Sequence, residues 1–125
     1  MAGLTLDAGA LIAFERNDRG MLALLSVVVA RRLPIHVPAG VVAQVWRDGR
    51  RQARLARLLG APDVSVDPLD DLAAREAGQL CGHRGTTDVV DASVVLNARR
   101  YGCRIATSDS GDLQRLDPAA LLIPV

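Results

Sequence analysis

The sequence has no lysine and almost no aromatic residues. All 15 basic residues are arginine. Phe14, Trp46 and Tyr101 are the only aromatic side chains. A binder that stacks unpaired bases on aromatic platforms is therefore excluded. The core must come from Leu, Val, Ile and Ala. Glutamate is also scarce, with only Glu15 and Glu76, so the acidic chemistry rests on aspartate. The two cysteines, Cys81 and Cys103, lack a metal-ligand spacing such as C-x-x-C. They read as buried free thiols, compatible with a reducing cytoplasm. No apolar run is long enough to span a bilayer; Met21–Ala30 is short and ends at Arg31-Arg32. Asp7 interrupts the N-terminus and no basic region precedes it, so no signal peptide is expected. The expectation is a cytoplasmic protein without a membrane association.

What is present is an alternation of short apolar runs with helical stretches over 125 residues. That pattern predicts a single α/β domain, residues 1–125, with a mostly parallel sheet of four to five strands and helices on both faces. The strands are Leu4–Leu6, Ile35–Val37, Val64–Val66, Arg104–Thr107 and Leu121–Ile123. The helices are Ala8–Phe14, Arg19–Arg32, Ala39–Arg47, Arg51–Leu59, Leu69–Cys81, Asp88–Tyr101 and Asp109–Leu116. Gly82–Thr87 reads as a loop, and Gly102 as the stop of the long helix before it. In such folds ligands gather at the carboxyl ends of the strands, where the strand order switches.

Aspartates sit where that rule points. Asp7 closes the first strand, and Asp109 follows the fourth after one residue. Asp88 and Asp91 open the helix before that strand, and Asp112 lies one turn beyond Asp109. Each has an ordinary structural reading. Asp88 and Asp109 suit helix N-caps, with Asp91 and Asp112 as partners of the helix dipole. Asp7 is harder to explain this way, because aspartate is disfavoured in strands. Carboxylates converging on one pocket repel one another and raise each other's pKa values. A divalent cation relieves that cost, and carboxylate-only ligation suits Mg²⁺ or Mn²⁺ rather than zinc.

Three segments carry a resemblance that covers nearly the whole chain. They are Leu4–Ala13, with Asp7 after the strand; Thr87–Val95, with Asp88 and Asp91; and Ile105–Leu113, with Thr107, Asp109 and Asp112. Their order, separation and context resemble the PIN-domain family, most of all the VapC-type toxins of bacterial toxin–antitoxin modules. The resemblance implies a three-layer αβα fold and a Mg²⁺- or Mn²⁺-dependent endoribonuclease. It also implies a homodimer and inhibition by a cognate antitoxin protein. It makes Asp7 and Asp91 the main metal ligands. Asp109 and Asp112 become further ligands or water-positioning groups, and Thr107 a supporting hydroxyl. One position departs from the family. A glutamate is usual in the helix after the second strand, and Gln44 stands at or near its place. Gln44 can coordinate through its carbonyl but brings no charge, and Asp88 is an extra acid that can compensate. The alternative is a PIN-like module that binds RNA or protein without cutting.

Arg50, Arg54 and Arg57 fall at helical spacing. They form either a solvated face or a phosphate track for RNA. His36 and His83 have no ligand-like partner in the sequence. A phosphoacceptor receiver domain has a similar length and an acidic pocket, but it needs a lysine that this chain lacks. A nucleotide-binding domain needs a Gly-rich loop after the first strand, and Asp7-Ala8-Gly9-Ala10 is not one.

Overall fold

A computed structural model describes residues 1–125. Five strands form one parallel sheet in the order β3-β2-β1-β4-β5: β1 is Leu4–Leu6, β2 Ile35–Pro38, β3 Val64–Asp67, β4 Arg104–Thr107 and β5 Leu122–Pro124. Seven helices connect them: α1 Ala8–Glu15, α2 Arg19–Ala30, α3 Ala39–Val45, α4 Ala53–Leu59, α5 Asp71–Arg84, α6 Val89–Tyr101 and α7 Ser110–Leu116. The chain builds outward from β1 through β2 to β3, then returns to the other side of β1 for β4 and β5. The switch in strand order thus lies between β1 and β4, at whose ends Asp7 and Asp109 stand.

β1 is central and buried along its whole length. Its alternation divides the two faces of the sheet. Thr5 points to α6, where its hydroxyl donates to Asn97 Oδ1 at 2.9 Å. Leu4 and Leu6 point the other way and are fully buried. α1 packs with α2, α3 and α4, while α5, α6 and α7 pack on one another, giving the expected three layers. The core is aliphatic, with Leu11, Met21, Ile35, Leu55, Ile105, Leu113 and Leu116 nearly inaccessible. Each such side chain contributes about 1.5–3 kcal/mol by burial.

Aspartate starts most of the longer helices. The carboxylates of Asp7, Asp18, Asp70 and Asp88 accept from the amides of Ala10, Met21, Ala73 and Asp91, at 2.8–2.9 Å. Each satisfies one of the donors that a helix start leaves free. The expected loop Gly82–Thr87 is shorter than its sequence suggests. α5 runs on through Gly82 to Arg84 and stops at Gly85, which takes φ +69°. Of the two glycines, only Gly85 adopts the left-handed conformation that ends a helix. Gly102, at φ +65°, ends α6 as expected. The helix expected over Ala39–Arg47 stops at Val45, because Trp46 turns to an extended conformation. The next helix begins at Ala53 rather than Arg51, after a turn in which Asp48 accepts from the Arg50 amide.

Candidate metal centre

The C-terminal ends of β1 and β4 and the N-termini of α6 and α7 meet at one mouth. Gly9 permits the approach. A Cβ there would collide with Ser108 Oγ, so α1 could not otherwise lie so close to the turn after β4. Asp7 is buried at the floor. Its amide donates to Ala106 O at 3.2 Å, and its Oδ1 caps α1. Thr107, also buried, has its hydroxyl beside the Asp7 carboxylate and accepts from the Asp109 amide at 2.8 Å. Thr107 therefore joins the floor of the site to its wall.

Asp91, Asp109 and Asp112 form the tightest group. One carboxylate oxygen from each lies within 4.8 Å of the others. Asp91 is half-buried on α6, and the other two are exposed on the α7 side. Asp109 stands at the N-cap of α7 but makes no capping hydrogen bond with its side chain. Capping therefore explains Asp88 but not Asp109. Asp7 stands outside this trio, although its charge reaches both Asp91 and Asp109.

The electrostatics show what that grouping costs. Burial, followed by Asp88, Asp109 and Asp7, pushes the Asp91 carboxyl up to about 7. Burial also raises Asp7, against the lowering effect of Thr107 and of the Ala10, Gly9 and Ser108 amides. Asp109 is raised chiefly by the adjoining Asp112 carboxyl. No arginine pairs with Asp91 or Asp109; the nearest ion pair holds Arg115 Nη1 3.7 Å from Asp112 Oδ1. A set of oxygen donors that raise one another's pKa fits a hard divalent cation. The residues present could hold one between Asp91, Asp109 and Asp112, with Asp7 facing it.

Gln44 is exposed on α3 and hydrogen-bonds to none of these acids. It lies one turn beyond Gly40, which faces Val90 at the start of α6 with a Cβ position 3.4 Å from Val90 Cγ2. Arg50, Arg54 and Arg57 do not form one stripe. Arg50 lies in the turn before α4. The Arg54 guanidinium sits 4.7 Å from the centre of the Phe14 ring and reaches Glu15 O at 3.5 Å, against the far end of α1. At 1.5 Å per residue that end is roughly 12 Å from Asp7. Arg57 alone is exposed on the helix. His36 does have a partner, the Asp67 carboxylate at 2.7 Å. His83 lies exposed in the last turn of α5.

Two residues at the mouth escape a reading of the sequence. A cavity of about 200 Å³ is lined by Arg84, Thr86, Asp88, Asp91, Asp112 and Arg115. The spacing of Arg115 from Asp112, three residues along a helix, was a legible signal. Nothing in the sequence brings Arg84 to the same place.

Comparison with known proteins bears on this arrangement. No curated protein matches the chain. The fold is similar to that of VapBC2 from Rickettsia felis bound to a DNA fragment from their promoter, with TM-score 0.73 and 14% identity over 98% of each chain. It is also similar to FitAcB from Neisseria gonorrhoeae, with TM-score 0.65 and 17% identity over 96% of each. FitAB bound to the IR36 DNA fragment gives TM-score 0.65 and 15% identity over 97% of this chain and 94% of that one. The family model of the PIN domain matches residues 4–117, a span that holds every acid of the mouth. With that match laid over this sheet and this acidic mouth, the chain belongs to the PIN-domain family.

Proposed function

We propose that the protein is a metal-dependent endoribonuclease and the toxin of a type II toxin–antitoxin pair, acting in the cytoplasm. The observation that carries the nuclease reading is the convergence of Asp91, Asp109 and Asp112 on one point without a cation of the protein between them. When bound, Mg²⁺ or Mn²⁺ supplies charge neutralisation at the phosphate and a lowered pKa for a coordinated water. The residues supply the rest. Asp91, Asp109 and Asp112 would hold the ion, and Asp7 would add its charge from a floor fixed by Thr107 and the first amides of α1. Asp109 and Asp112, on the exposed side, would orient the attacking water.

The test is cleavage of RNA with Mn²⁺ and with chelator. Asp7→Asn and Asp91→Asn keep the shape but remove the charge, and Asn at position 7 keeps the acceptor that caps α1. Each is expected to lower cleavage at least about a hundredfold while the protein stays folded. A wild-type protein that cuts no RNA with Mn²⁺ would favour the other reading, a PIN-like binding module without catalysis. That reading draws on Gln44, a neutral and exposed residue where the resemblance leads one to expect glutamate.

The two-component names VapBC2 and FitAB support a protein partner here as well. So do the exposed apolar side chains Ile12, Val27 and Val29, on α1 and α2, and Trp46 just after α3. An amphipathic antitoxin helix suits such a surface. Leu69, Leu72 and Tyr101, exposed around α5 and α6, offer an apolar surface that would close a homodimer. Light scattering and co-expression with the adjacent upstream reading frame test both. A monomer that recruits no neighbour-encoded protein would defeat the toxin assignment and leave the nuclease intact.

A further inference from the structure

We infer that Arg84 and Arg115 hold successive phosphates of a single RNA strand at the acidic mouth, an inference that rests on the nuclease reading above. The difficulty they resolve is electrostatic. An RNA backbone must approach Asp7, Asp88, Asp91, Asp109 and Asp112, all of one sign with the substrate. An ion at the trio offsets that repulsion at one phosphate only, so its neighbours along the strand need cations of the protein.

Arg84 and Arg115 are the basic residues at the cavity that Asp88, Asp91 and Asp112 also line. They come from different elements, Arg84 at the last position of α5 and Arg115 in the last turn of α7, so each of two helices brings a cation to the cavity. Neither is committed elsewhere. Arg84 makes no ion pair or side-chain hydrogen bond, and the neighbouring Asp117 already has Arg99 Nε at 3.0 Å. Arg115 stands 3.7 Å from Asp112, beyond hydrogen-bond distance, and its side chain is 82% exposed. An ion pair of that kind contributes little, so it yields readily to a phosphate. The contrast with Arg54, packed on Phe14 at the far end of α1, is direct.

The guanidinium fork suits phosphate oxygens, which it can bond in pairs. A cavity of about 200 Å³ has room for a phosphodiester unit. The backbone that follows Arg84 is also held. Gly85 fixes the end of α5, and Thr86 Oγ1 accepts from the Asp88 amide at 3.2 Å, so Arg84 leaves from a defined backbone position.

The experiment measures binding rather than cutting. A short fluorescein-labelled single-stranded RNA is titrated, with Mn²⁺ present, against Asp7→Asn protein carrying in addition Arg84→Ala, Arg115→Ala, Arg84→Lys or Arg115→Lys, over a range of KCl concentrations. Each phosphate contact adds about 0.7 to the slope of log affinity against log salt on a single strand. Each alanine variant is expected to lose about that much slope, and each lysine variant to keep it. Melting curves with Mn²⁺ should be unchanged by all four, because none removes an acid. Slopes equal to that of the parent, or a parent without measurable affinity for RNA, overturn the inference. The nuclease reading fails separately, if wild-type protein with Mn²⁺ leaves RNA intact while the slopes still respond to the arginines.

Discussion

At the β2–β3 edge, Asp67 is surrounded by donors. His36 Nδ1 lies 2.7 Å from its Oδ2, Asn97 Nδ2 donates to the same oxygen at 2.8 Å, and Ser65 Oγ donates to Oδ1 at 3.0 Å. Asn97 in turn accepts from Thr5, and Tyr101 stacks on the His36 ring at 3.9 Å between centroids. At the ends of β1 and β4, elsewhere on the same sheet, Asp91, Asp109 and Asp112 face chiefly one another. The residue type is the same and the consequence is opposite. The first cluster ties the outer strands to α6 and completes a fold in which no buried side-chain nitrogen or oxygen lacks a partner. The second holds an electrostatic cost within the fold, one that a cation would remove. A carboxylate at a strand end is thus uninformative until its donors are counted.

The largest effect expected from this contrast is on stability, and the two clusters should move it in opposite directions. Asp67→Ala leaves His36, Ser65 and Asn97 without their shared acceptor in a partly buried place, and should cost about 3 kcal/mol in urea unfolding. Asp91→Asn removes one of several repelling charges and, without metal, should leave the protein as stable or more so. An Asp67→Ala protein that unfolds no earlier than wild type would erase the distinction between the clusters.

Metal and pH sharpen the same contrast. Asp91 is raised from the ordinary 3.8 to about 7, and Asp7 and Asp109 are raised as well. Between those values the folded chain keeps a proton that the unfolded chain has released, so metal-free stability falls as pH rises from about 4 to about 7 and then levels off. Mn²⁺ needs the ionised carboxylates, so its benefit should grow over the same window. At a hundredfold over its dissociation constant the gain is about 2.7 kcal/mol. Calorimetric melting near pH 5 and near pH 8, with and without Mn²⁺, reads both slopes. A metal-free melting temperature that climbs across that range, or the absence of any Mn²⁺ shift near pH 8, would count against the site.

The strands and the acids were legible in the sequence because both are local signals. A short apolar run closed by Asp7 or Pro38 states its own conformation, and aspartates three apart at a helix start announce a cap and its partner. What the sequence hid depends on contacts between distant segments. Asp67 and Asn97 are 30 residues apart, so His36 reads as unpartnered and the satisfied cluster is invisible. The arginine stripe fails for a related reason. Arg54 has helical spacing from Arg50 and Arg57, but Phe14 claims its guanidinium and the turn at Asp48 keeps Arg50 off the helix. The loop before Asp88 is shorter than the sequence suggests because Gly82 and Gly85 look alike until one of them takes a positive φ.

The smallest effect concerns Gln44, and it bears on whether the acidic mouth is complete. If Asp88 supplies the charge that Gln44 does not, the two positions must be coupled through the ion. Asp88 already acts on this site: after burial, it is the leading cause of the raised Asp91 carboxyl. Its cap on α6 can be separated from its charge, because Asn serves as well as Asp at an N-cap. Asp88→Asn therefore keeps the Asp91 amide bonded and removes only the charge. In that background Gln44→Glu should tighten Mn²⁺ binding, since it restores a charge from α3 beside the start of α6. In the wild-type background the same substitution adds one more repelling carboxylate and should change Mn²⁺ affinity little. The expected coupling is about 0.5–1 kcal/mol, read from Mn²⁺ dissociation constants by titration calorimetry on the four proteins of the cycle. Strict additivity would show that Asp88 is only a helix cap. The mouth would then rest on Asp7, Asp91, Asp109 and Asp112 alone.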